Sequence, residues 1–476
     1  MGDRAAAVKL FNQAVQCMTP GNPASAGPEA GKLAFQFFSS AIWADPTWDE
    51  PLFQYGNRVS DIYALKAAVA AWRRALRCNP APTRKAEILS NLGWRLRDLG
   101  ETEEAFACAK EALSIDPDMA NPWADLALVH GDLGDTSAAV GCWRKAIELE
   151  GDGIHRSNFR FGLALALIFD RQLAKGFKEM EVRFEYRLKN FLSYPYPRWE
   201  GQRDAQVFIQ ADQGLGDTLS FARFVPAAAG RARYVHLYVQ EQLMRVFQHA
   251  FMRLPNVNII PFQPTTPFPA ADYWSTFISL PAALDLTDEE IRNTPHISYP
   301  DYSIRSDWKV PDQKLHVGIA WAGSPQNDID RHRSIPVEHF LELYRVAGVQ
   351  LYSLQVDSPG SQRKGDLYTT AMSGLVKDLS PFISDVSDTT ALLKGLDLVI
   401  CCESALAHIC GLVGKECWVP YSYLGRDYRL GVDGKDVLWY PNHRVFPQDK
   451  TRSWEKVFER IVGALAQKVK EHRRAA

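Results

Sequence analysis

The chain of 476 residues has no excess charge of either sign: 54 Lys and Arg face 56 Asp and Glu, a formal net of −2. That balance gives no field to draw in a polyanion, so no nucleic-acid partner is expected. Its eight cysteines form no CxxC pair and no paired CxxC and HxxxH spacing, which argues against a zinc site or a disulfide framework. Cys401 and Cys402 stand in an apolar run and read as buried reduced thiols, which points to a reducing compartment. Long hydrophobic runs are missing too. The longest uncharged apolar one, Phe161 to Phe169, falls far short of the roughly 20 residues that a bilayer span needs. The start, MGDRAAAVKLFNQ, lacks the apolar core of a signal peptide, so a cytoplasmic protein without a membrane span is expected. Glycine (31) and proline (28) are at ordinary levels, which excludes collagen-like repetition and wholesale disorder. At roughly 100 to 200 residues per domain, the length predicts about three domains.

What the chain does have is an internal repeat. Residues 91 to 117 realign on 125 to 151 at an offset of 34: Leu92 on Leu126, Leu99 on Leu133, Gly100 on Gly134, Ala105 on Ala139, Ala112 on Ala146 and Leu113 on Ile147. Ala41, Ile42 and Pro46 realign on Ala75, Leu76 and Pro80 at the same offset. Small residues fall where paired antiparallel helices must approach closely, and LGD or LGE supplies the turn between them. The phrases ALRCNP and ALSIDP each end a helix before proline, which cannot continue it. This pattern resembles the tetratricopeptide repeat, whose stacks form an α-solenoid that usually takes a protein or peptide. A plain rigid spacer is the blander reading. Residues 154 to 190 read as one further helix pair.

After the aromatic and Pro-rich stretch Ser193 to Gly201, the pattern changes to short apolar runs between amphipathic segments, the mark of α/β layering. Strands are predicted at 205–212, 234–240, 257–262 and 273–280. A Pro-containing crossover spans about 285–314. A second set follows at 315–323, 349–356, 396–403 and 416–422, and WEKVFERIVGALAQKVKEH closes the chain as a helix. The expected division is 1–190 for the repeats, 191–300 for an N-terminal Rossmann-like half and 301–476 for a C-terminal one, with ligands at the carboxyl ends of the strands.

Three segments carry candidate chemistry. In the first, Gly214 and Gly216 let backbone approach a ligand while Asp217 stands at the start of a helix; a plain helix N-cap is the alternative. No third glycine completes a dinucleotide fingerprint. The second is Trp321, Gly323 and the later Arg331, Arg333 and Ser334, where two guanidinium forks suit an anionic group and a solvated basic loop is the alternative. Asp328 and Asp330 form a DxD, but beside three basic residues no metal is expected there. In the third, Glu403, Ser404 and Ala405 open a helix whose free N–H groups favour phosphate, with His408 one turn on. A satisfied core histidine is the alternative for His408. Gln355 and the segment Tyr421 to Arg426 are positioned for base recognition. No GxSxG elbow is present, which argues against a hydrolase.

PRWEG, QGLGDTLSFARFVP, VGIAWAGSP, RHRSIPVEHF, DTTALLKGLDLVICCESALAHICGLVGK and the late WYP, in this order behind the repeats, resemble the bacterial repeat-fused glycosyltransferases related to the ADP-heptose:lipopolysaccharide heptosyltransferases. The resemblance runs from about Gly176 to Leu465. It implies a GT-B fold of two Rossmann-like domains and an inverting, metal-independent transfer from a nucleotide-sugar to an acceptor hydroxyl, with no cofactor. By the same resemblance Asp217 is similar to the proposed base, Arg333 to a residue on the donor diphosphate, and Ser404, Ala405 and His408 to the donor-phosphate segment. The chain departs where the family has Asp-Thr and this sequence has Glu403-Ser404, and where Ile329-Asp330 lengthen the Arg loop. The expected acceptor is a protein taken by the repeats, such as a flagellin or another surface protein. A lipid or saccharide acceptor, and a repeat scaffold with a decayed transferase half, are the alternatives.

Overall fold

The repeat offset reappears, at 34 or 35, as side-chain contacts. In the computed structural model, Arg84 pairs with Glu50 at 2.6 Å, Asn91 donates to Asn57 Oδ1 at 2.9 Å, and Arg97 pairs with Asp132 at 2.6 Å, each joining one repeat to the next. The structure describes residues 2–19, 29–61, 64–186, 194–263, 268–299, 308, 312–325, 327, 330–356, 374–432, 434–435 and 437–475. The chain falls into two compact units, Met1–Ala166 and Leu167–Ala476.

In the first unit helices pair as antiparallel hairpins: Arg4–Met18 with Ala30–Ala44, Asp49–Asp61 with Leu65–Arg77, Pro82–Leu99 with Thr102–Ile115, and Ala120–Leu133 with Thr136–Glu150. Gly100 and Gly134 end the leading helices at φ 88 and 85, where a side chain would be strained, and so each starts a hairpin turn. Ala75, Ala86, Ala105, Ala112 and Ala146 are all buried, which lets the helix axes close up, while Leu52, Trp72, Leu89, Leu92 and Leu96 fill the space between repeats. A groove of about 630 Å³ opens among Phe35, Ser39, Trp43, Tyr55 and Val59. Trp43 is 86% exposed.

The second unit contains two wholly parallel sheets. β1 (Gln206–Gln210), β2 (Tyr234–Val239), β3 (Val257–Pro261) and β4 (Tyr273–Thr276) stand in the order β3-β2-β1-β4. β5 (Leu315–Ala320), β6 (Val349–Ser353), β7 (Val376–Asp378), β8 (Leu398–Cys401), β9 (Cys417–Tyr421) and β10 (His443–Pro447) stand in the order β10-β9-β8-β5-β6-β7. Both are doubly wound: the chain starts in the middle, at β1 or β5, and reverses direction there. Strands buried on both faces need continuous apolar runs, and β5, β8 and β9 are buried throughout. β7 and β10 were not predicted. One has only three residues, and the other, HRVFP, carries two basic side chains.

The division falls within the helix Arg156–Phe169, ahead of the expected residue 190. The physical reason is Arg183, 1% exposed, which donates to Thr276 Oγ1 at 2.8 Å and Ser279 Oγ at 2.6 Å and so belongs to the first sheet. The end of the aromatic and Pro-rich stretch also joins that sheet: Arg198 bridges to Trp274, and Trp199 is buried. Residues 300–307 and 309–311 of the crossover expected over 285–314, and Asp328 with Ile329, lie outside the described residues. All eight thiols are free and seven are buried, with Cys401 and Cys417 sulfurs 3.6 Å apart. Among the described residues no helix is long and apolar enough to cross a membrane.

Candidate functional site

Each doubly wound sheet leaves a crevice at the carboxyl ends of the two strands flanking its reversal point, β1 with β4 and β5 with β8. All three sequence segments sit at such ends. Behind the first crevice, the buried Arg183 pairs with Asp212 at 3.3 Å and with Glu181 at 2.6 Å, anchoring the turn that follows β1. Burial raises the pKa of Asp212, and Arg183 opposes that rise.

Asp217 lies in the first turn of the helix Leu215–Phe221, with Gly214 as its extended N-cap. Its side chain is 24% exposed, and its Oδ1 is 3.0 Å from Nη2 of Arg429. Gly216 on the same turn packs against the imidazole of His408, which a Cβ there would overlap. The two glycines of this motif therefore differ: one opens the helix, and the other seats a partner from the second sheet's side.

After β5, Trp321 and Ala322 donate their backbone N–H groups to Gln355 Oε1 at 3.1 and 3.0 Å, and Gln355 Nε2 donates back to Ala322 O at 3.2 Å. The buried amide of Gln355 is thus spent on shaping this loop, not on the base recognition expected of it. Gly323 N–H donates to Ser334 Oγ at 3.2 Å, and Ser334 Oγ donates to Asp330 Oδ1 at 2.8 Å. The guanidinium of Arg333 lies over Gly323, 3.8 Å from Glu403 Oε1. The side chain of Arg331 lies outside the described residues.

Glu403 follows β8 and is 5% exposed. Burial is the chief reason that its pKa is pushed up to about 8; Asp427 and Asp217 add to the rise, while Arg333 and Arg429 resist it. Burial thus favours its neutral acid form. Among the described residues, three buried polar atoms here have no hydrogen-bond partner: Arg333 Nε, Glu403 Oε2 and Trp321 Nε1. Ser404 caps the helix Ala405–Leu412 with extended backbone and makes no side-chain cap bond. The start of that helix presents its free N–H groups at the same strand end.

His408 lies one turn deeper. Its Nδ1 meets Tyr440 Oη at 3.1 Å, and its Nε2 stands 3.6 Å from Asp427 Oδ2. Burial, then the nearby Arg429 charge, holds its pKa well below 6.5, so it is a neutral ring joining elements of the two sheets. Tyr440 Oη also bonds Ser220 Oγ at 2.7 Å. Arg223 of the SFARF segment packs over the ring of Trp439 at 4.9 Å. The late WYP therefore docks on the helical segment of the first motif.

Sequence reading missed Asp427 and Arg429. Arg429, buried, grips Asp427 through Nε (2.8 and 2.9 Å) and Nη2 (2.6 Å) and donates to Ser220 Oγ at 3.1 Å. Burial opposes both charges, but each holds the other: Asp427 stays below its ordinary pKa and Arg429 well above its own. The local signal was RDYR, a carboxylate and two guanidinium groups beside a run of tyrosines. Among the described residues no cluster of three or more His, Cys, Asp or Glu stands where it could hold a metal ion.

Residues 86–119 match the tetratricopeptide repeat family. Over 507 aligned residues the chain is 24% identical to Protein FlbA of Caulobacter vibrioides, spanning 98% of this chain and 82% of that protein. Similar solved structures include MamA from Desulfovibrio magneticus RS-1, at 16% identity and a TM-score of 0.32 over 40% of this chain and 99% of that one. Another is YrrB, a tetratricopeptide repeat protein with an unusual peptide-binding site, at 13% identity and a TM-score of 0.30 over 38% of this chain and 87% of that one.

Proposed function

We propose that the chain is a GT-B glycosyltransferase that moves a sugar from a nucleotide-sugar to a hydroxyl of a protein taken by its helical repeats. One observation carries the reading: Gly216 of the first motif packs against His408 of the third, from opposite sheets, and Arg333 of the second motif stands 3.8 Å from Glu403 Oε1 of the third. In the reaction, the acceptor O–H gives its proton to Asp217 while its oxygen attacks the anomeric carbon. The bond from that carbon to the donor phosphate oxygen breaks, and its electron pair leaves with the nucleoside diphosphate.

The leaving charge calls for a cation and free N–H donors. Arg333 and the helix start at Ser404–Ala405 supply them, each donor worth on the order of 3 kcal/mol. Glu403, as a neutral acid, adds no opposing charge. His408 supports the floor of the site from behind and carries no charge to the phosphate. The reading needs neither metal nor cofactor. The repeats suit a protein acceptor, such as a flagellin or another surface protein, because stacked repeats of this kind offer an extended surface for chains.

Isothermal calorimetry with nucleoside diphosphates, followed by mass spectrometry of co-expressed proteins, tests this. Binding of one nucleotide and a hexose- or heptose-sized mass on a protein support it. A second reading, a repeat scaffold whose transferase half is silent, draws on the near closure of Arg333 and Glu403 from solvent, their side chains being 13% and 7% exposed. Failure of every nucleotide to bind selects that reading.

A further inference from the structure

Asp217 is the most exposed of the site's carboxylates named above, its side chain 24% exposed, and its two oxygens are not equivalent. Oδ1 is 3.0 Å from Arg429 Nη2. Among the described residues no hydrogen bond reaches Oδ2, which lies 3.5 Å from where a Cβ on Gly214 would stand. The missing side chain leaves that oxygen open to approach.

Arg429 cannot easily move away from this arrangement. Its guanidinium is pinned by both oxygens of Asp427 on its own loop, and Nη1 donates to Ser220, on the same helix as Asp217. A planar fork with five donors can grip one carboxylate through two nitrogens and still reach a second carboxylate and a hydroxyl, more contacts than an ammonium's three donors can make. The Asp217 side chain of the first sheet is thereby set from a loop of the second.

We infer that Arg429 is the positioning residue for Asp217: it occupies Oδ1, turns Oδ2 toward the acceptor, and ties that alignment to the closure of the two sheets. The inference rests on the transferase reading, in which Asp217 takes the acceptor proton. Arg429 need not touch donor or acceptor; it acts through Asp217. Misalignment of a reacting group by about 1 Å can cost on the order of 10²-fold in rate.

The test compares the full chain with Asp217→Asn, Arg429→Gln, Arg429→Lys and the double variant Asp217→Asn/Arg429→Gln, reading kcat, donor KM, calorimetric binding of the nucleoside diphosphate and the melting temperature. Arg429→Gln should lower kcat on the order of 10²-fold, with donor KM and nucleotide affinity near those of the parent. Arg429→Lys should recover part of that loss. The double variant should be no slower than Asp217→Asn alone, because a residue that acts only through Asp217 has nothing further to lose. Full turnover in Arg429→Gln, or losses that multiply in the double variant, overturns the inference while leaving the transferase reading intact. If Arg429→Gln does not fold, Arg429→Lys decides: reduced kcat at unchanged KM supports the role, and parental kcat overturns it. A parent chain that binds no nucleotide and transfers no sugar removes both.

Discussion

Gly216 lies directly against the ring of His408, so a helix following the first sheet and a helix following the second meet where one has no side chain. Substituting Gly216→Ala forces a methyl group into the imidazole. Overpacking of this kind costs about 1–3 kcal/mol, which differential scanning calorimetry should register as a lower melting temperature. Adding His408→Ala should relieve part of the strain, so that the double substitution is less damaging than the two single effects added together.

Asp217→Asn keeps the shape of the side chain and removes its capacity to take a proton. Turnover with the physiological donor should fall by about 10² to 10⁴, while calorimetric affinity for the nucleoside diphosphate stays near that of the parent. Unimpaired transfer by this variant would falsify the assignment of the base.

Glu403 makes stability depend on pH with a defined sign. Its pKa rises from 4.5 to about 8 on folding, burial being the largest cause. Folding therefore retains a proton that the unfolded chain releases between those values. The stabilisation is complete below pH 4.5 and is lost as pH climbs to about 8, at no more than about 1.4 kcal/mol per pH unit. Glu403→Gln cannot titrate. The stability of the parent minus that of the variant, from urea titrations at pH 5, 6, 7 and 8, should fall steadily. Asp125, in the repeats, is also raised to about 8 but is present in both proteins and cancels. A difference that is level across this range rejects the neutral-acid assignment.

Removing the repeats, residues 1–150, separates the two halves of the proposed activity. The shortened protein should still release sugar from the donor by slow hydrolysis, measured by chromatography of the nucleotide product. It should no longer modify a protein acceptor, measured by intact mass. Equal modification by both forms would mean that the repeats do not present the acceptor.

The repeat array was legible because its signal is redundant: the same small and apolar positions recur at 34, and each recurrence is a helix contact. The central strands were legible because burial on both faces demands uninterrupted apolar runs, as in LHVGIA and LVIC. The edge strands lacked that signal. Within the site, Asp217, Arg333 and Glu403 could be picked out because each follows a strand at a loop or helix start. Arg429 could not: what makes it matter is an ion pair with a residue 212 positions earlier, and no local spacing encodes such a meeting. His408 stands out in the sequence only by its place in a first helical turn, beside the donor-phosphate segment or as a core histidine; burial decides its charge, and burial is set by Gly216 and Tyr440, which arrive from elsewhere in the chain.

The rungs Arg84–Glu50, Asn91–Asn57 and Arg97–Asp132 bind each hairpin only to its neighbour. Such a stack loosens like a zipper from a free end, one module at a time, and a charge reversal at one rung weakens that joint while its fellows hold. Amide exchange along the stack should accordingly grade inward instead of switching all at once, and the surface offered to a bound chain can flex module by module to follow an occupant of irregular shape.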